Sequence, residues 1–191
     1  AELNREAAMI VSRVASGTIE DALGRGDAGR ASLIVGDRQE AERLFRQQLA
    51  LFAKMAPGHK DLFLPALSLC KILNMRSEHA AAEDLCRSAL VLAVRDSPGS
   101  MTEVSALIAL AHVRNRRGDL IDGEALFRRS LEICQTLAPD SGKYSYALLC
   151  VGKARARQGD WLGAERIFRR SLEVARASEP PRWKGETAVL A

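Results

Sequence analysis

Aromatic residues are scarce in this chain of 191 residues, making up 5% of it although hydrophobic residues as a whole make up 47%. A core with so few rings has to be built from Ala and Leu, as in closely packed helices. Uncharged stretches such as Val104–Val113 are too short to cross a bilayer, which needs about 20 residues. Alternation of apolar and polar residues over more than four positions is also absent. These absences argue against a membrane-spanning protein and against strands.

Motifs that carry chemistry are missing as well. No two cysteines have the CxxC spacing of a metal or redox site, no Gly-rich phosphate loop follows a predicted strand, and there is no nucleophile elbow or paired-carboxylate motif. Each cysteine falls at an apolar position of a predicted helix, so we expect four small buried thiols in a reducing compartment, the cytoplasm. The sequence therefore predicts no enzyme, no metal and no cofactor. The cysteines are Cys70, Cys86, Cys134 and Cys150, and the scattered histidines are His59, His79 and His112.

What the sequence does contain is one block that occurs four times. Its clearest copies begin at Gly118 and Gly159, 41 residues apart, and fainter copies begin at Gly36 and Ser77. A strict period of roughly 20–50 residues is typical of a solenoid, in which each repeat buries its apolar face against its neighbours. The residues that recur without insertion or deletion are Glu42, Glu83, Glu124 and Glu165, then Arg46, Arg87, Arg128 and Arg169, then Pro57, Pro98, Pro139 and Pro180.

Each repeat divides into two predicted helices, A and B. In helix B of the third copy, apolar residues from Leu126 to Cys134 recur at spacings of three and four, which indicates a helix buried on one face. The acidic residue after each Gly or Ser suits an N-cap, and the closing proline cannot continue a helix. We therefore expect an all-α solenoid. The B helices should end near Met55, Asp96, Leu137 and Ser178, and three A helices should span Asp61–Met75, Met101–Arg116 and Lys143–Arg157.

The repeats are expected to form one array along the whole chain. Complete repeats are assigned to 18–58, 59–99, 100–140 and 141–181, with 1–17 as helix B of a truncated preceding repeat and 182–191 as the start of a further or capping helix. Because the chain lacks an initiator Met and begins and ends within a repeat, we expect a piece of a longer protein. Its uncovered ends should associate weakly through Ile10, Val189 and Leu190.

The first A helix, about Ile19–Val35, is expected to be the weakest. It carries Gly24, Gly26 and Gly29. Each glycine costs about 1 kcal/mol in a helix interior. We therefore expect this helix to be short, bent or frayed.

The best copy of the repeat has the residue pattern of a known helical repeat: Leu148, Val151 and Gly152 match that repeat's helix A, and Trp161, Ala164, Phe168 and Ser171 match its helix B. On these residues the repeat resembles the tetratricopeptide repeat, and its length and loop resemble the long kinesin light chain type. The resemblance implies a right-handed superhelix of antiparallel helix pairs whose A helices line a concave groove for partner proteins. The adjacent asparagines of the kinesin light chain groove are absent, which argues against a kinesin-like mode of cargo binding. In their place stand Leu67–Ser68, Ile108–Ala109 and Leu149–Cys150.

Two sets of charges are candidates for function. In every B helix a glutamate lies four residues before an arginine, which favours structural ion pairs, solvated or between repeats, over a phosphate-binding stripe. Arginines that end the A helices complement the helix dipole. A row of basic residues in the A helices faces the groove in the geometry that the resemblance implies. Like charges in a concavity do nothing for the fold, but they raise the local concentration of an anionic partner.

We therefore predict a protein–protein interaction scaffold whose groove binds an extended or helical acidic segment of a partner. The alternatives are exposed cations without a role on a chain of net charge +4, a single-stranded RNA-binding solenoid, and a regulatory or assembly module of a larger enzyme. RNA binding would need aromatics between the cations, so nucleic acid is not expected. The fallback is an apolar groove around Leu64, Met75 and Tyr146. The predicted groove residues are Arg30, Lys71, His112, Arg116, Tyr146, Lys153 and Arg157.

Overall fold

The computed structural model describes residues 17–178, which contain eight α-helices and no strand. The prediction of an all-α fold of paired helices is confirmed. None of these helices is long and apolar enough to span a membrane. The helices are α1 (Ile19–Val35), α2 (Arg38–Met55), α3 (Phe63–Met75), α4 (His79–Asp96), α5 (Met101–Arg117), α6 (Leu120–Leu137), α7 (Gly142–Arg157) and α8 (Trp161–Ser178), and a short 3-10 helix, Lys60–Leu62, precedes α3.

Three of the four B helices, α2, α4 and α6, end at the predicted residues Met55, Asp96 and Leu137, and α8 is helical as far as Ser178, the last described residue. Their ends follow from the prolines, which cannot continue a helix and hold the preceding residue in an extended conformation. The A helices differ slightly from the prediction. The start predicted at Asp61 is a 3-10 turn, so α3 begins at Phe63, while α5 and α7 are each one residue longer than predicted.

The turns between paired helices rest on a left-handed residue. Gly36, Gly118 and Gly159 have φ values of 87°, 95° and 86°, and Ser77, with φ 65°, takes their place in the second pair. The N-caps agree only in part with the prediction, because Asp37 and Asp160 accept backbone N–H bonds whereas Asp119 and Glu78 do not. The last two carboxylates pair with arginines instead, Asp119 with Arg114 and Glu78 with Arg76. Asp160 does both, because one of its oxygens accepts from the Gly163 N–H and the other lies 3.3 Å from Arg155.

The expectation of a short or frayed first helix is wrong. Helix α1 runs for 17 residues, and Thr18 caps its N-terminus by accepting from the Asp21 N–H. Two of its three glycines lie where α2 comes close: a Cβ at Gly26 would meet Gln48, and a Cβ at Gly29 would lie 2.8 Å from Cε1 of Phe45. The low helix propensity of glycine is therefore offset by the close packing of Phe45, which the absence of a Cβ at Gly29 allows.

The chain forms two compact units, divided after Pro98. Unit 1 contains α1–α4 and unit 2 contains α5–α8, and within each unit helices adjacent in sequence pack on one another. Most of predicted helix 1–17, the segment 182–191 and the three residues predicted to drive end-to-end association lie outside the described residues. One core cluster of unit 2 lies between its two helix pairs and consists of Val104, Cys134, Tyr144, Ala147, Leu148 and Val174.

The prediction of four buried thiols is wrong for two of them, because Cys70 and Cys86 form a disulfide. The two residues are 16 apart in sequence and lie on α3 and α4, on either side of the turn near Ser77. Antiparallel helices bring such residues opposite each other, and their Cα atoms are 5.7 Å apart. Cys134 and Cys150 are buried and free, as predicted.

Candidate functional site

All four predicted Glu–Arg pairs of the B helices are present, with distances of 2.6–2.8 Å. Their glutamates are less exposed than their arginines, and two of the glutamates also contact the residue that follows the next A helix. Glu42 is 2.7 Å from Arg76, and Glu124 is 2.7 Å from the Gln158 amide. These contacts join one helix pair to the next, so they support a structural interpretation of the Glu–Arg pairs.

Glu124 shows how strongly such a carboxylate is held. Burial alone would raise its pKa, but hydrogen bonds from Arg128, Gln158 and Arg155 outweigh burial and keep the pKa of Glu124 below its ordinary value. The carboxylate is therefore ionised in the folded protein at neutral pH and contributes to the packing of α6 against α7.

Unit 2 contains a cavity of about 450 Å³ between its four helices. No acidic residue of the described chain lines it, whereas four basic residues do. The lining residues are His112, Asn115 and Arg116 of α5, Phe127 of α6, Cys150, Lys153, Ala156 and Arg157 of α7, and Phe168 of α8.

The apolar wall of this cavity depends on small residues in the A helices. A Cβ at Gly152 would lie 2.5 Å from Cε1 of Phe168, so only glycine allows the ring to pack this close without a shift. On the other helix pair, Phe127 packs with Ala111 in one core cluster. The two phenylalanines, together with Cys150, give the cavity an apolar lining in addition to its four basic residues.

His112 connects the two A helices of unit 2. Its Nε2 is 3.3 Å from the Tyr146 hydroxyl and 3.9 Å from Cys150 Sγ, and its ring stands edge-on to Phe127 with centroids 5.1 Å apart. Burial raises the pKa of Cys150 to about 11, so this thiol stays protonated at neutral pH. Burial also raises the pKa of Tyr146. The cysteine next to this histidine is therefore not an activated nucleophile.

Two of the cations that line the cavity, Lys153 and Arg157, differ in their partners from Arg155 on the same helix. Within residues 17–178, neither Lys153 nor Arg157 has a carboxylate within ion-pair distance. Arg155, on the same helix, lies 3.4 Å from Glu124 and 3.3 Å from Asp160. The charge on the cavity side of α7 is thus left unbalanced by the described part of the chain.

The predicted groove residues are divided between the units. One cavity is lined by His112, Arg116, Lys153 and Arg157. Tyr146 does not line this cavity, but its hydroxyl contacts His112. Arg30 and Lys71 belong to unit 1, where Arg30 bonds Asp27.

The sequence prediction did not include Asn115, Phe127 and Phe168 in the site. The two rings lie on B helices, where their apolar spacing indicates only a core. Asn115 could have been found, because it follows His112 by three residues and so shares its side of α5. Gly123, which has no side chain, leaves the space that Asn115 occupies.

Comparison with known proteins agrees with this geometry. Residues 102–179 match the family model of the tetratricopeptide repeat. No curated protein sequence matches the chain. The predicted resemblance to tetratricopeptide repeats of the kinesin light chain type is confirmed by the family match and by solved structures.

Three solved structures represent the fold. BtubC from P. vanneervenii has a TM-score of 0.76 at 17% identity, over 90% of this chain and 70% of that one. A kinesin light chain-type protein of Podosopora anserina with nearly identical TPR-like repeats has a TM-score of 0.75 at 16% identity, over 93% and 86% of the two chains. MamA of Desulfovibrio magneticus RS-1 has a TM-score of 0.65 at 19% identity, over 88% and 82%. At these identities the likeness establishes the fold.

Proposed function

We propose that this chain of tetratricopeptide-type helix pairs is a non-enzymatic scaffold that binds an acidic segment of a partner protein at the basic cavity of unit 2. Tetratricopeptide repeats generally mediate interactions between proteins. The observation that carries the acidic preference is the cavity itself, lined by four basic and no acidic residues of the described chain. Such a concentration of one charge attracts an oppositely charged ligand and raises its local concentration.

The two sides of the cavity suit different parts of a peptide. Carboxylates of the ligand face Arg116, Lys153 and Arg157, while an apolar residue beside them packs against Phe127 and Phe168. A volume of about 450 Å³ is within the range that accommodates small ligands and single side chains. The preferred segment therefore has Asp or Glu next to a large apolar residue.

Arg30 and Lys71 contribute less in this proposal. Arg30 already bonds Asp27, and both residues lie outside the cavity-bearing unit. We place the interaction in the cytoplasm, as a function of this array alone or as an assembly module within a larger protein.

Fluorescence anisotropy with labelled peptides tests the proposal. The probe is a mixed-sequence twelve-residue peptide with Asp and Glu around one Phe, and its matched control carries Asn and Gln at the acidic positions. We expect binding of the acidic peptide alone, and affinity that falls steeply between low and high salt, because exposed charges are screened over about 8–10 Å at physiological ionic strength.

Charge reversal locates the site. Lys153→Glu combined with Arg157→Glu should abolish binding while circular dichroism stays unchanged. Arg166→Glu with Arg169→Glu changes the charge equally on α8, at residues that do not line this cavity, and should leave most of the binding. Equal binding by both double variants, or affinity insensitive to salt, would refute the proposal. Tighter binding of a labelled oligouridine than of the peptide would favour the RNA alternative instead.

A further inference from the structure

One contact between the paired helices recurs in all four pairs, and the residues that form it differ in the second pair. It joins an A-helix residue to the B-helix residue 16 places further along. The first and fourth pairs place a phenylalanine ring against a glycine, Gly29 with Phe45 and Gly152 with Phe168. The third pair places Phe127 with Ala111. The second pair has Cys70 and Cys86 at this position, joined by a disulfide.

The second pair also differs at its turn. The other three turns have glycine in the left-handed conformation, whereas here Ser77 adopts φ 65°. A side chain disfavours this region of backbone space. Helices α3 and α4 therefore lack both the ring that fills the contact and the residue that suits the turn. Two separate thiols at positions 70 and 86 would fill the contact less completely than a ring on a glycine or alanine.

We propose that the Cys70–Cys86 bond is a redox-responsive clasp that takes the place of the aromatic contact in the second helix pair, so that its reduction loosens α3 and α4 but not unit 2. The bond ties together residues from two helices across a loop of 16 residues, which restricts the opened chain. Unit 2 contains no such bond in its described part, and its two cysteines are free.

Reduction requires a thiol donor, and a dithiol is the natural class. Its thiolate attacks one sulfur of the Cys70–Cys86 bond and forms a mixed disulfide, and its second thiol then releases the remaining cysteine. Two electrons and two protons pass to the protein, which gains two thiols, and the dithiol becomes a disulfide. Both cysteines are buried, so attack follows opening of the helix pair. Opening and reduction consequently promote each other.

The clasp controls a surface as well as stability. Helix α3 carries Leu64, Lys71 and Met75 on its exposed side. When the bond is reduced, these residues are no longer held on a fixed helix. In a reducing compartment, disulfides in mesophilic proteins are mostly transient and redox-sensing, so a buried bond of this kind would report the redox state of the cell.

The first experiment counts thiols and follows amide hydrogen exchange. The chain is purified without a reducing agent and then unfolded, and alkylation should modify two cysteines, Cys134 and Cys150. After dithiol treatment, alkylation should modify all four cysteines. After reduction, amide exchange should become faster in α3 and α4 and stay unchanged in α5–α8. The melting temperature of the chain should fall by about 6–12 °C. Four free thiols in the air-purified chain, or equal exchange of α3 before and after reduction, would overturn the proposal.

Two double variants separate the bond from the cysteines. Cys70→Ala with Cys86→Phe copies the third pair, and it should restore slow exchange in α3 with no response to dithiol. Cys70→Ser with Cys86→Ser removes the bond without filling the contact, and it should exchange like the reduced chain. If amide exchange in α3 is as slow in the serine variant as in the oxidised chain, the bond does not hold the two helices together and the proposal is wrong. These readouts do not use the peptide, so they remain valid if the proposed binding function fails.

Discussion

Units 1 and 2 have the same order of helices and similar turns, yet their A helices present different surfaces. In unit 1 the exposed side chains of α3 include Leu64 and Met75, at 49% and 55% exposure, and the cation Arg30 of α1 is bonded to Asp27. In unit 2 the corresponding helices carry four basic residues around a cavity walled by two phenylalanine rings. One repeat thus produces an apolar surface in one unit and a basic cavity in the other.

This difference separates the residues of a repeat that determine its contacts from those that determine its surface. Residues that recur in every copy, such as the Glu–Arg pairs, make the same contacts in both units. Residues that vary between copies decide whether the A helices present charge or apolar surface. The match to the tetratricopeptide family model falls on residues 102–179, within unit 2. The unit closer to the family pattern is therefore the one that carries the candidate site.

The largest contrast concerns equivalent lysines of the two units. Lys153→Glu should weaken binding of the acidic peptide about 100-fold, or about 2.7 kcal/mol, because it reverses a cavity cation. Lys71→Glu makes the same change in unit 1 and should weaken binding by about threefold or less, through long-range charge alone. Titration of both variants at one salt concentration measures the contrast. If the two lysines prove equally important, the partner engages both units and the site is not confined to the cavity.

A second contrast compares glycines of α7 and α1. Gly152→Val should lower the free energy of unfolding by about 2 kcal/mol, because its Cβ would meet Phe168. Gly24→Val is the control: a Cβ at Gly24 meets nothing within 4 Å, and valine favours a helix slightly more than glycine does. Urea denaturation compares the two variants. A Gly152→Val chain as stable as the native one would mean that the ring does not pack as described.

A third and smaller contrast concerns the glutamates of two Glu–Arg pairs. Glu124→Gln should cost about 1 kcal/mol at neutral pH, because Glu124 receives bonds from Arg128, Arg155 and Gln158. Glu165→Gln removes a carboxylate that is 54% exposed and pairs only with Arg169 in the described chain, so it should cost less than about 0.5 kcal/mol.

The cost of Glu124→Gln also depends on pH. The folded pKa of Glu124 is lowered, so its contribution is full above the ordinary value of 4.5 and is lost as the pH falls through the folded pKa. Unfolding of both variants at pH 7 and at successively lower pH values below 4.5 tests this. A difference between Glu124→Gln and the native chain that does not shrink in acid would contradict the assignment.

Most of the fold could be predicted from the sequence because its signals are local. The prolines end three B helices at Met55, Asp96 and Leu137, and the apolar spacing indicates the buried face. Helix α1 was predicted less well, since helix propensity counts Gly29 as a cost, and only the packing of Phe45 against it shows the gain. The Cys70–Cys86 bond was missed because an apolar position of a helix suits a free thiol as well as a bonded one, and only the packing of α3 on α4 brings the two Cα atoms to 5.7 Å.

The candidate site was predicted in part. Helical periodicity placed His112, Lys153 and Arg157 on one side of their helices, and these residues line the cavity. The sequence by itself determined the ends of three B helices and the Glu–Arg pairs, because each depends on residues within one or two turns. Only the tertiary structure decided which cations have carboxylate partners and where two rings leave a cavity. Those outcomes depend on distances between helices, which are set by the packing of small residues such as Gly152 and Ala111 against the rings of the neighbouring helix.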